Sequence, residues 1–462
     1  MEKLPAASLQ GLVEEMSVAA LGDGRRTRRL VNIVERMAQE PDASFPEISR
    51  DLSELEALYR FVNNPKVTPE AIIEPHLARS RLRASSSKTD VIVAHDTTYF
   101  SFEGEREGLG RINKKTSGFW AHMALAVSIQ RDVYGAVGLE YGTRHGPSKW
   151  SGSRRLKGVA DDDPSESLRW PRLVTKVAER FGQQRVIHVL DREADWFELL
   201  QHLVELNQRF VVRMTHDRRV EGTDLRVSTV LAEARVLAER EVHLSERANG
   251  GSARARARHP GRKARLARLE ISAESAEIVS STTPGSVRLN FVRVVEVDTP
   301  EGCEPVLWTL MTSEPIATRQ DVLRVVDAYR ARWVIEEYFK ALKTGCAFEK
   351  RQLGSYRALL NALAFTAPVA SLLLRLRTTG REDGDKPAEH VLDRDLLDVL
   401  LLIARRPMPE APTARDVMYA VAGLGGHLPR NGPPGWITLS RGFTRLREAA
   451  RVLALRARSD QS

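Results

Sequence analysis

The sequence predicts a mixed α/β protein with a helical segment at each end. Short apolar runs at 91–94, 123–127, 133–139 and 186–190 have the length and character of buried strands. From Ser165 onward such runs alternate with stretches whose apolar residues recur at helical spacing, the pattern of helices packed on a sheet. With 462 residues and 42% hydrophobic content, the chain can bury a large core and should divide into roughly two to four domains.

The segment 1–75 reads as helical. Leu30, Ile33, Val34 and Met37 share one helical face, Gly22-Asp23-Gly24 precedes that helix, and the stretch 41–46 follows it. Arg25, Arg26, Arg28 and Arg29 crowd the helix start. Cations there oppose the helix dipole, which points to a DNA phosphate as their counter-ion, with a solvated basic surface as the alternative. Next come the strand at 91–94 and a hairpin whose strands, 123–127 and 133–139, join through Gln130-Arg131-Asp132. A helix is expected over 165–181 with Ser165 as its cap, a strand at 186–190, a helix over 193–206 and a strand at 210–212.

Between about 217 and 312 short β segments are expected. Alternation of Ala and Arg from Ala253 to Arg258 gives either a strand with a one-sided arginine face or a basic loop, and 262–271 would be the returning strand. Helical periodicity resumes over 320–344. The apolar stretch 359–374, interrupted by Asn361 and Pro368, reads as a buried helix pair rather than a membrane span. The segment 377–462 is read as a helical domain. Pro407 to Pro412 marks a boundary or loop, and turns are expected at Gly423-Leu424-Gly425-Gly426 and from Pro429 to Trp436.

A net charge of +9 favours a polyanionic partner. The excess of arginine over lysine suits phosphate binding and equally suits a GC-rich coding sequence. Two cysteines, Cys303 and Cys346, form no CxxC pair, which argues against a zinc module or a disulfide scaffold and fits a reducing compartment. The start, Met1-Glu2-Lys3-Leu4, lacks the apolar core of a signal peptide.

Phosphodiester cleavage by two divalent ions needs carboxylates that converge, because Mg²⁺ takes hard oxygen ligands. Asp96 closely follows the run 91–94, and Asp191 follows 186–190. An ionised aspartate just past a buried strand is costly unless something binds it, although each could also be a cap or turn residue. Glu336 lies in Tyr329-x2-Arg332-x3-Glu336-x6-Lys343. On one helix these four side chains span an arc of about 60°, and Lys340 widens it to about 80°. A solvent face laced with pairs such as Glu336–Lys340 is the alternative.

That spacing resembles the Y-R-E-K signature of bacterial insertion-sequence transposases of the IS-four group (the Tn-five type). Asp96-Thr97-Thr98 is similar to that family's first acidic motif and Asp191-Arg192-Glu193-Ala194-Asp195 to its second. Gly22-Asp23-Gly24-Arg25-Arg26, with Tyr59-Arg60-Phe61 and Asn64, resembles its DNA-end-binding domain, and the tail around Gly435-Trp436 its dimerisation region. The resemblance spans nearly the whole chain. It implies a DNA-end-binding domain at 1–75, an RNase H-like catalytic domain at 76–376 with a β-rich insertion at about 217–312, and a dimerisation domain at 377–462.

The resemblance also implies Asp96, Asp191 and Glu336 as the triad holding two Mg²⁺ ions, with Mn²⁺ able to substitute. Tyr329, Arg332 and Lys343 would grip DNA near the cleaved end, with Lys340 beside them. Arg213 sits where the family places another DNA-contacting arginine, and Trp308 where it places a tryptophan that stacks on a flipped base. A plain surface charge and an ordinary strand aromatic are the alternatives. His95, His122 and His188 are expected to be packed strand residues rather than ligands.

The implied activity is cut-and-paste transposition by a homodimer acting on the terminal inverted repeats and target sites of double-stranded DNA, through a hairpin intermediate, in the bacterial cytoplasm at the nucleoid. A catalytically decayed DNA-binding relative and an RNase H-like nuclease without strand transfer are the rival readings.

Overall fold

The computed structural model describes residues 9–112, 116–144, 166–244, 246 and 261–459. These form two compact units. One holds the described residues up to 144, 166–184 and 333–459, and the other those within 185–332. The architecture is mixed α/β, with a helical amino-terminal region and a helical carboxy-terminal part.

The first unit opens with helices α1 (Leu9–Ser17), α2 (Gly24–Gln39), α3 (Phe45–Ile48), α4 (Leu52–Asn63) and α5 (Pro69–Ser85). Asp23 caps α2 by accepting from Arg25 N at 2.8 Å. The face carrying Leu30, Ile33, Val34 and Met37 is buried, as its spacing predicts. Strands β1 (Val91–Phe102), β2 (Gly110–Arg111), β3 (Ser117–Ser128) and β4 (Val133–Gly142) then build an antiparallel array in which β3 pairs with the other three. The hairpin of β3 and β4 falls where the apolar runs placed it.

β1 is longer than its apolar run. It pairs with β3 from Val91 to Phe102, so Asp96 lies inside a strand, opposite Met123, and not beyond its end. The β-branched and aromatic residues Thr97, Thr98, Tyr99 and Phe100 sustain the strand past the acid. Helix α6 (Arg169–Phe181) starts later than expected, after a 3₁₀ turn at Glu166–Leu168, and the proposed cap Ser165 lies outside the described residues.

The expected buried helix pair is one helix, Tyr356–Glu382, with Pro368 inside it. By length and composition this helix could cross a membrane, but 89% of its most apolar window is buried within the protein. Burial on both sides outweighs the amide bond lost at proline. Asn361 fits a buried position because its Nδ2 donates to Val62 O at 2.9 Å, near the end of α4, and to Val67 O at 3.2 Å, in the loop that follows.

The second unit is a mixed sheet. β5 (Ile187–Leu190) runs parallel to β6 (Arg209–Arg213). Beyond β6 follow, antiparallel in turn, β11 (Leu307–Thr312), β10 (Ser286–Val297) and β9 (Arg265–Val279). β9 also carries β7 (Arg219–Val220) and β8 (Val236–Leu244). The 217–312 region is thus β-rich, but β9 and β10 have 15 and 12 residues rather than short segments, and a helix, α8 (Val227–Glu233), interrupts it. The Ala253–Arg258 alternation lies outside the described residues.

The helix expected over 193–206 is broken. A 3₁₀ turn at Arg192–Ala194 is followed by α7 (Phe197–Glu205), with Asp195 between them at φ −80° and ψ 70°. The Asp195 carboxylate is drawn into bonds with a distant loop, which keeps its backbone out of the helix. The helix expected over 320–344 is broken too. Arg319–Ala331 ends before Arg332-Trp333, Val334–Lys340 follows, and a π turn spans Ala341–Gly345, closed by Cys346 N donating to Ala341 O at 2.7 Å. A π turn takes up an extra residue, so Lys343, which lies within it, departs from the face that α-spacing assigns it.

In the carboxy-terminal part the helices Ala414–Leu424 and Trp436–Ser459 pack backbone to backbone. A Cβ added at Gly425 would overlap Thr438 O, and one at Gly442 would overlap Val421 O. Gly442→Ala is therefore expected to destabilise the protein by about 2 kcal/mol through overpacking, measured as a lower urea midpoint with an unchanged m-value.

Candidate functional site

Asp96 is half-buried on β1 and accepts from Thr97 N at 2.8 Å. Its strand is braced on the opposite side by a polar network. Thr97 Oγ1 meets His122 Nδ1 at 2.9 Å and accepts from Arg169 Nε at 2.8 Å. Arg169, buried in α6, also donates to Glu166 O at 2.5 Å. Two residues on, Tyr99 OH donates to Glu166 Oε1 at 2.5 Å, while Arg144 grips the same carboxylate at 2.6 and 2.9 Å. Burial works against charge on Glu166, but the bonds from Arg144 and Tyr99 overcome it and hold its pKa below the usual range. Burial, followed by the bond to Glu166, pushes the Tyr99 phenol up. Burial, with Arg169 close by, drives His122 far down, so that ring is neutral. His95, His122 and His188 are all fully buried strand residues.

Glu336 is half-buried in the first turn of Val334–Lys340, a helix that packs on β1. Asp96 and Glu336 thus share the first unit, on neighbouring elements. Lys340 pairs with Glu337 at 2.8 Å. Lys343 Nζ donates to Tyr99 O at 2.6 Å and lies 5.4 Å from the Phe100 ring centroid. Burial lowers the Lys343 pKa, against the pull of Glu349.

Asp191 belongs to the second unit. It follows β5, is half-buried, and accepts from Glu193 N at 2.8 Å, the turn-capping role open to it from the start. Asp195 of the same motif differs. It is buried, pairs with Arg218, and accepts from Thr215 N at 2.5 Å and His216 N at 2.7 Å.

Four other expected contact residues do meet, in the second unit. The Trp308 and Tyr329 rings are 5.5 Å apart at 68°. Arg213 lies 5.9 Å over Trp308, and Arg332 lies 5.9 Å over Tyr329. β11 beside β6 brings Trp308 to Arg213, because Leu310 is opposite Arg213 and Trp308 is two residues away on the same face. This alternation of guanidinium and aromatic ring suits phosphates and stacked bases. Tyr329 and Arg332 are buried, however, at 6% and 8% exposure, which corrects the reading of a single helix face presenting both with Glu336, Lys340 and Lys343. Burial lowers the Arg213 pKa.

At the start of α2, Arg25 pairs with Asp23 at 2.9 Å and Arg26 donates to Leu21 O at 2.8 Å. Those two cations are therefore served within the protein. Arg28 is exposed and Arg29 half-exposed.

Two families match the chain. The transposase DNA-binding family covers residues 11–67, and the transposase DDE domain covers 158–372. The chain is thus similar to transposases over two separate segments. The DDE domain spans Asp191, Arg213, Trp308, Tyr329, Arg332, Glu336, Lys340 and Lys343, while Asp96 lies ahead of it. The DNA-binding match spans Arg25, Arg26, Arg28 and Arg29. Among solved structures, a piggyBac transposase synaptic complex with hairpin DNA aligns with 78% of this chain and 67% of its own, at 11% identity and a TM-score of 0.36.

The three carboxylates of the DDE reading offer oxygen donors alone, which matches the preference of Mg²⁺ or Mn²⁺, and two of them sit on elements packed together. Among the described residues, no three His, Cys, Asp or Glu side chains are gathered closely enough to hold a metal ion. The brace of Tyr99, Arg144, Glu166 and Arg169 escapes a reading of the sequence. Its members are up to about 70 residues apart, and no spacing rule links a strand to a helix at that distance.

Proposed function

We propose that this protein is a DNA transposase that cuts and rejoins the ends of a mobile element. The observation that carries the reading is the order of the two matched domains, transposase DNA-binding ahead of transposase DDE. In this reading Asp96, Asp191 and Glu336 hold two Mg²⁺ ions within an RNase H-like catalytic domain. When bound, the metal would supply Lewis acidity to the reacting phosphoryl group. Arg213, Trp308, Tyr329, Arg332, Lys340 and Lys343 position the DNA end. The segment 1–75 recognises the terminal repeats and 377–462 joins two copies in the synaptic complex. The protein works in the bacterial cytoplasm, and transfer proceeds by cut-and-paste.

The test is incubation with DNA carrying the element's ends, a target plasmid and Mg²⁺. Joined products support the proposal. Cutting without joining favours a nuclease, and binding without cutting favours a decayed relative.

Of the four arginines at the start of α2, Arg28 and Arg29 are the two without a partner described above, and in this reading they meet phosphate. The double variant Arg28→Ala/Arg29→Ala is expected to weaken end binding and to flatten the plot of log K against log[salt] by about 2 units, as measured by anisotropy titration across salt concentrations.

A further inference from the structure

Glu337 follows Glu336 on Val334–Lys340, and its carboxylate gathers donors from three elements. Lys340 Nζ of its own helix donates at 2.8 Å. Trp436 Nε1, at the start of the last helix, donates at 3.3 Å. Arg377 Nη1 donates from the long helix Tyr356–Glu382. The Arg377 guanidinium lies 4.7 Å over the Trp436 ring, and its Nε reaches Pro434 O at 3.4 Å. The last helix also holds the far end of the segment, where Ser440 Oγ donates to Gly345 O at 2.9 Å, closing the π turn that carries Lys343.

Val334–Lys340 has 7 residues and runs on only through the π turn Ala341–Gly345. So short a helix has little intrinsic stability and takes its rotation from its neighbours. A metal-holding carboxylate needs its geometry fixed to within about 0.5 Å and 10–20°. We propose that Glu337, Arg377 and Trp436 form a positioning clamp by which the carboxy-terminal helical part sets the rotation of the Glu336 helix. The inference rests on the transposase reading and adds that the carboxy-terminal part controls metal affinity at Glu336.

The experiment uses the full-length protein and two readouts. One is Mn²⁺ binding followed by electron paramagnetic resonance, and the other is the Mn²⁺ dependence of single-turnover cleavage of end-bearing DNA. Glu337→Ala is expected to weaken Mn²⁺ binding about 10-fold, to raise the half-saturating Mn²⁺ by the same factor, and to leave metal-free DNA binding unchanged. Wild-type Mn²⁺ affinity in folded Glu337→Ala overturns the clamp. If that variant does not fold, Trp436→Phe decides, because it keeps an aromatic ring at this position while removing the indole N–H that donates to Glu337. A shift of about 3-fold in the same direction supports the clamp, and no shift overturns it. Should the wild type bind Mn²⁺ yet leave DNA uncut, the transposase reading fails while Mn²⁺ binding still judges the clamp.

Discussion

Glu336→Gln is expected to cleave end-bearing DNA at least about 10³-fold more slowly than the wild type, a loss of about 4 kcal/mol of transition-state stabilisation. Asp96→Asn and Asp191→Asn should do the same. Each substitution keeps the size of the side chain and removes a negative oxygen donor, so metal-assisted chemistry falls while the fold stands. End binding without metal should stay within about 2-fold of wild type, because in this reading phosphate-contacting cations supply that affinity. The measurement is single-turnover cleavage with Mg²⁺, beside a binding isotherm in EDTA. A variant that cuts at the wild-type rate removes that residue from the triad.

The second large effect concerns stability and separates two acids of one motif. Asp195→Ala is expected to cost about 3–5 kcal/mol, because it strands a nearly buried Arg218 and leaves the amides of Thr215 and His216 without their acceptor. Asp191→Ala removes only the acceptor for Glu193 N and should cost about 1 kcal/mol. Urea denaturation of both variants makes the comparison. Similar losses in the two would show that Asp195 does not anchor its loop. Asp195→Asn, which keeps an oxygen for the amides, should fall between them.

Part of the local structure was legible in the sequence. Asp191 ends a strand where the apolar run stops, and the buried face of α2 follows its 3.6-residue period. Other readings failed where distant contacts overrode local preference. The pull of Arg218 on Asp195 stops a helix that the sequence pattern would begin earlier. The helix 320–344 has an unbroken α pattern, yet it divides at Arg332-Trp333 and ends in a π turn that displaces Lys343. Tyr329 and Arg332 share a face by spacing, but their burial beside Trp308 comes from the pairing of β11 with β6.

The sequence alone determined where most strands begin, the buried face of α2 and the positions of the acids and arginines, because periodicity, turn chemistry and charge act over a few residues. Tertiary structure decided which acid braces a loop, which cations are already paired within the protein, and what grips the Glu336 helix. Those outcomes depend on side chains up to about 100 residues apart, such as Glu337 and Trp436, and a polymer's local preferences carry no information on which distant donor will fill a buried acceptor.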